Sequence, residues 1–130
     1  MLMQISLFVN HVGDTGAIAF AEVLRNTRFL CIIDPSENNI GDRGAKALFE
    51  AIRENQVIKQ INLYHNNCGD GSAQVIADTL VTHLGLQGVY LDYNSIGSRG
   101  AKIIAQGLSQ STQSIEVNIR ENDLDSLTKK

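Results

Sequence analysis

Few residues in this chain have the types and spacing of a chemical site. His65 and Cys68 stand three apart, a spacing that suits two ligands of one metal ion. A closed zinc site needs four such ligands, and no second His/Cys pair falls beside this one. Gly13-Asp14-Thr15-Gly16 has the glycine content of a phosphate-cradling loop ahead of a helix. Its aspartate opposes an anion, however, and no GxxxxGK[ST] follows. Asp34 with Glu37, and Asp92 with Glu121, offer paired carboxylates of the kind used in acid–base catalysis. No nucleophile or pocket-forming residue accompanies them, so they read better as a charged docking surface. His11 and His83 read as solvated surface residues. No catalytic residue, metal or cofactor is therefore expected.

What positions these residues is a repeat. Asparagine recurs at Asn10, Asn38, Asn66, Asn94 and Asn122, each 28 residues after the last. A fixed period of this length marks a solenoid, in which each unit covers its neighbour's apolar face. With the asparagine as position zero, apolar residues precede it at −8, −5 and −3. In the third unit these are Ile58, Ile61 and Leu63; in the fourth, Leu86, Val89 and Leu91. The period of two at −5 and −3 predicts a short strand with one buried face. Stacked copies would form a parallel sheet, and the asparagines a ladder that satisfies polar groups of the adjoining turns.

After the asparagine come an apolar residue at +2, then Gly13, Gly41, Gly69 and Gly97 at +3, and Asp14, Asp42, Asp70 and Ser98 at +4. The +4 residues are expected to cap the start of their own helices. The helices then present an apolar stripe at +7, +10, +11 and +14, as in Ala101, Ile104, Ala105 and Leu108. Strands sit ~4.8 Å apart and helices ~8–10 Å apart, so the stack must curve with the sheet inside. Pro35 replaces the −3 leucine of the second unit and should interrupt the sheet hydrogen bonding there.

The frame LxxLxLxxNxIGDxGAxxLAxxL, clearest from Leu86 to Leu108, resembles the leucine-rich repeat of the ribonuclease-inhibitor class. The resemblance extends from Leu2 to Leu124. It implies a right-handed α/β solenoid, a horseshoe arc with a parallel sheet on the concave side and helices on the convex side. It also implies a non-enzymatic domain that binds other proteins on the concave sheet. Similar repeats occur in inhibitors and GTPase-activating proteins, so regulation of a partner enzyme is the alternative. The expected organisation is one domain, residues 1–130, with four complete βα units and a fifth, terminal strand unit.

Positions −4, −2 and −1 are expected on the concave face. They supply the candidate contact residues Phe8, Asp34, Glu37, Asn62, Tyr64, His65, Tyr90, Asp92, Tyr93, Asn118 and Arg120. All three tyrosines fall in these columns, and aromatic residues and arginine are favoured anchors. Alanine at Tyr64 and Tyr90 together is expected to weaken partner binding without unfolding the domain. The first strand begins with no capping unit before it, which raises self-association through that end as a further alternative.

Composition narrows the partners. The 130 residues carry a net charge of −3 with no basic run, which disfavours nucleic acid. No stretch is apolar for 18 residues, so no membrane span is expected. Met1 to Val9 lacks the charged start and cleavage site of a signal peptide and reads as the first strand. Cys31 and Cys68 occupy different repeat positions, so pairing is not expected. Free cysteines point to a reducing compartment: the cytoplasm, or a host cytosol for a bacterial protein delivered there.

Overall fold

The computed structural model describes the backbone of residues 3–6 and all of residues 11–123. Phe8, Asn10, Leu124 and the polar tail lie outside the described residues. Among the described residues five strands alternate with four helices: β1 (Met3–Ser6), α1 (Gly13–Asn26), β2 (Leu30–Asp34), α2 (Asp42–Arg53), β3 (Gln60–Asn62), α3 (Ala73–Thr82), β4 (Gly88–Tyr90), α4 (Ser98–Gln110) and β5 (Glu116–Asn118). A single 3-10 turn, Asp70–Ser72, leads into α3. The strands form one parallel sheet in chain order, so each helix is the crossover between neighbours. The fold is an α/β leucine-rich-repeat solenoid, with its sheet on the concave side and its helices on the convex side.

The sequence period becomes the sheet register. Ile61 pairs with Val89, and Val89 with Val117. These −5 residues point into the core, where Ile33, Ile61 and Val89 are fully buried. The helices meet them with Ala45, Leu48, Phe49 and Ile52 from α2 and Ala73, Ile76 and Leu80 from α3. Helix α4 is the last described helix and buries less: Ile104 is buried, Leu108 is half-buried and Ala105 is exposed. The inward placement expected for Ala105 is therefore not found, because no further described helix packs against that side. Pro35 has the expected effect. β2 and β3 pair only at Ile32↔Gln60 and Ile33↔Ile61, whereas β3 and β4 continue to Asn62↔Tyr90. The cause is the missing amide donor: in the next unit the equivalent Leu63 N–H donates to the Tyr90 carbonyl at 2.8 Å.

Asn38, Asn66, Asn94 and Asn122 form a ladder in which each reaches back one unit. The Asn94 Oδ1 accepts the Cys68 N–H at 2.8 Å, and its Nδ2 donates to the carbonyls of Leu63 (2.8 Å) and Leu91 (3.0 Å). Asn66 likewise accepts the Ile40 N–H and donates to the Pro35 carbonyl. Asn122 accepts the Ile96 N–H and donates to the Leu91 carbonyl. Asn38 accepts the Val12 N–H. One side chain thus ties two consecutive turns, and at Asn38 and Asn94 it does so in the buried interior.

The aspartates depart from expectation in the same direction. None caps its own helix; the residues before α2, the 3-10 turn and α4 are Gly41, Gly69 and Gly97. Instead the Asp14 Oδ1 accepts the N–H groups of Gly41 (2.7 Å) and Gly44 (3.0 Å) in the following unit. Asp70 does the same for Gly97 (2.7 Å) and Gly100 (3.1 Å). Asp42 accepts from Gly69 N–H and from the Ser72 hydroxyl. Each carboxylate therefore caps its neighbour's helix, whose first-turn N–H groups would otherwise lack partners. Ser98, expected to cap α4, is the first residue of that helix, and Gly97 stands at the cap position. The glycines at +6 leave room for this contact: a Cβ on Gly44 would sit 2.7 Å from the Asp14 Oδ1.

Candidate concave docking face

The backbone beneath the concave columns is hydrogen-bonded from unit to unit. The Glu37, His65 and Tyr93 N–H groups each donate 2.9 Å bonds to carbonyls of the next strand, at Tyr64, Asp92 and Arg120. At Glu37, His65, Tyr93 and Glu121 the backbone is left-handed, with φ between 57° and 61°. That conformation is costly for residues other than glycine, by about 1 kcal/mol or more each. It recurs at all four described residues of this column, so it belongs to the repeat: it turns the chain from the strand into the asparagine.

Tyr64, His65 and Tyr93 come together. The two tyrosine rings stand 5.2 Å apart, centroid to centroid, in an edge-to-face arrangement. The His65 imidazole lies 5.9 Å from Tyr93, also edge-to-face, and 6.0 Å from Tyr64. Neighbouring registers explain the meeting: Tyr64 sits at −2 of one unit and Tyr93 at −1 of the next. Such ring pairs favour one another through their quadrupoles. Yet Tyr64 keeps 37% and Tyr93 45% of its surface open to solvent. Glu37 closes one side, with its Oε1 3.9 Å from the His65 Nδ1. Beside them runs an open depression lined by His11, Glu37, Asn39, His65, Asn66 and Asn67.

Tyr90 does not join this group. Its ring folds back over Gly88, whose missing side chain makes the space, and its hydroxyl donates to the Glu116 Oε1 at 3.1 Å. Burial, followed by the hydrogen bond and charge of Glu116, raises the Tyr90 phenol above its usual value. Asp92 is buried, and its carboxylate is occupied by the Arg120 N–H at 2.8 Å and the Arg120 guanidinium at 3.7 Å. Asp34 and Asn62 spend one oxygen each on the N–H two residues later, at Ser36 and Tyr64. Asn118 is half-buried at the end of β5.

His65 and Cys68 do not face a common ligand. His65 is exposed, whereas Cys68 is fully buried and its thiol donates to the Ile40 carbonyl. Burial, then the Asp42 charge, pushes the Cys68 thiol up to about 12. Cys31 is also buried and unpaired with any other cysteine.

His83 was expected in solvent and is fully buried instead. Its Nδ1 accepts the Gly85 N–H at 3.1 Å, so its Nε2 carries the proton and donates to the Asn55 carbonyl at 2.8 Å. Burial, the largest cause, lowers its pKa below the usual value. One unit earlier Asn55 does the same work, donating to the Thr27 carbonyl at 2.8 Å. Thr27, Asn55, His83 and Ser111 are spaced by the repeat period. That spacing was the available signal for a second polar ladder, in the return loops.

Comparisons with known proteins agree with this architecture. A family model described as "Leucine Rich repeat" matches residues 1–21 and 36–49, less than half of the chain. A search of curated proteins returns no match. Among solved structures, "Leiomodin-1 Actin-Binding Site 2 (ABS2)" superposes with a TM-score of 0.80 at 16% identity, covering 89% of this chain and 69% of that one. At that identity the likeness is one of fold.

Proposed function

We propose that this chain is a non-catalytic protein-docking domain of the ribonuclease-inhibitor-like repeat class. In this reading its concave sheet receives a partner, with Tyr64, His65 and Tyr93 as the anchor. The observation that carries the proposal is the open aromatic trio on a backbone hydrogen-bonded from one unit to the next. Aromatic rings give large contact area at low entropic cost, and a preformed surface avoids the cost of ordering. The leiomodin-1 neighbour, an actin-binding site by name, supports the idea that this scaffold carries protein-binding surfaces. Actin is accordingly a reasonable first partner to assay. Two free, buried cysteines support a reducing, cytosolic setting for the encounter.

The test is affinity capture with three versions of the chain: the native sequence, Tyr64→Ala/Tyr93→Ala, and a convex control, Lys46→Ala/Glu50→Ala. Partners retained by the native and convex-control chains and lost from the tyrosine variant support the proposal. Loss only from the convex control overturns it.

A further inference from the structure

We propose that the anchor of the concave face is built for a cationic side chain, so that the partner segment seated there presents arginine or lysine. This rests on the docking reading above and makes it more specific. Two independent features converge. The first is the aromatic trio, whose tyrosine rings remain accessible and whose flank carries the Glu37 carboxylate. A cation on a tyrosine face is attracted by the ring quadrupole, and an adjacent carboxylate adds to that attraction.

The second feature is how charge divides between the two faces. In the concave columns at −6, −4, −2 and −1, the described residues include Asp34, Glu37, Asp92, Glu116 and Glu121, and one Lys or Arg, Arg120. Arg120 is drawn to Asp92 and so offsets only that acid. The helices of the convex side carry both signs, with Arg25, Arg43, Lys46, Arg53, Arg99 and Lys102 beside Asp14, Glu22, Asp42, Glu50 and Asp78. The sheet face is therefore acidic although the chain as a whole carries only −3. An acidic face steers a basic partner to itself and repels acidic ones. The same sign argues against the other ligand that stacks on exposed aromatic rings, single-stranded nucleic acid, whose phosphates would meet these carboxylates.

The experiment selects binders to the intact chain from an unbiased phage-displayed library of random dodecapeptides. Selected peptides are mapped by amide chemical-shift changes. The expected result is enrichment of Arg- or Lys-bearing peptides that shift Glu37, Tyr64, His65 and Tyr93. Replacing the key arginine by citrulline, which keeps shape and removes charge, should weaken binding about tenfold. Glu37→Gln and Tyr64→Leu/Tyr93→Leu should each weaken the arginine peptide more than the citrulline one, with circular dichroism unchanged. Concave-face binders that lack basic residues, or that are indifferent to citrulline, overturn this inference and leave the docking proposal standing. A selection that yields only helix-face binders, or none, overturns both.

Discussion

Replacing Asn94 by alanine should be among the most costly single changes in this chain. Asn94 is 7% exposed and bonds four buried backbone groups, most closely the Cys68 N–H and the Leu63 and Leu91 carbonyls. Its loss strands the Cys68 N–H, a buried donor whose desolvation costs about 1–3 kcal/mol. The Leu63 and Leu91 carbonyls each lose a bond worth about 0.5–1.5 kcal/mol. The sum is about 4 kcal/mol, a large share of the ~5–15 kcal/mol that holds a typical domain. With a urea slope of about 2 kcal/mol/M, the unfolding midpoint should fall by about 2 M. Gln87→Ala, at an exposed position just before β4, should change stability by less than ~0.5 kcal/mol. Urea titration followed by circular dichroism measures both, and amide exchange should reveal faster opening at Cys68. If Asn94→Ala shifted the midpoint no further than Gln87→Ala, the ladder would not be the fastening described above.

Further changes separate the remaining devices. Gly107→Ala adds a good helix former, yet its Cβ would lie 2.7 Å from the Ala77 Cβ and 2.8 Å from the Ala77 Cα. The overpacking cost of about 1–3 kcal/mol should outweigh the ~1 kcal/mol propensity gain, giving a lower melting temperature. Burial disfavours charged His83, so the unfolded chain, with its ordinary value of about 6.5, binds the proton first. His83 should therefore leave stability intact above about pH 6.5 and erode it as pH falls below that value toward the lowered folded pKa. His83→Asn, which copies Asn55, should flatten that part of the stability–pH curve relative to the native chain. The buried Cys68 thiol, pushed up to about 12, should resist thiol reagents in the folded chain and react at once in denaturant.

The period carried most of the fold into view. Apolar residues 28 apart must share a core row, and Ile61, Val89 and Val117 do so in register. Pro35 was legible for the same reason: one missing donor has one address. The aspartates were misplaced because Asp before a helix is a favoured cap for that helix. Sequence spacing alone does not distinguish that role from reaching Gly41 and Gly44 one unit on. His83 was missed because a histidine after a helix is usually solvated; only its column, shared with Asn55, marked it as a rung. On the concave face the columns identified the outward tyrosines but not their directions. Gly88 lets Tyr90 fold away toward Glu116, whereas the left-handed turn at Tyr93 brings that ring onto Tyr64. Such pairings depend on side-chain rotation, which spacing does not encode.

The most direct test of the docking face is site-specific photo-crosslinking in cell lysate. A benzoylphenylalanine is placed at Tyr93 on the concave side or at Glu50 on the convex side of the otherwise native chain. Docking on the concave face predicts a discrete protein adduct from position 93, suppressed by an excess of unlabelled native chain and undiminished by excess Tyr64→Ala/Tyr93→Ala. An adduct formed from position 50 and not from position 93 would contradict it.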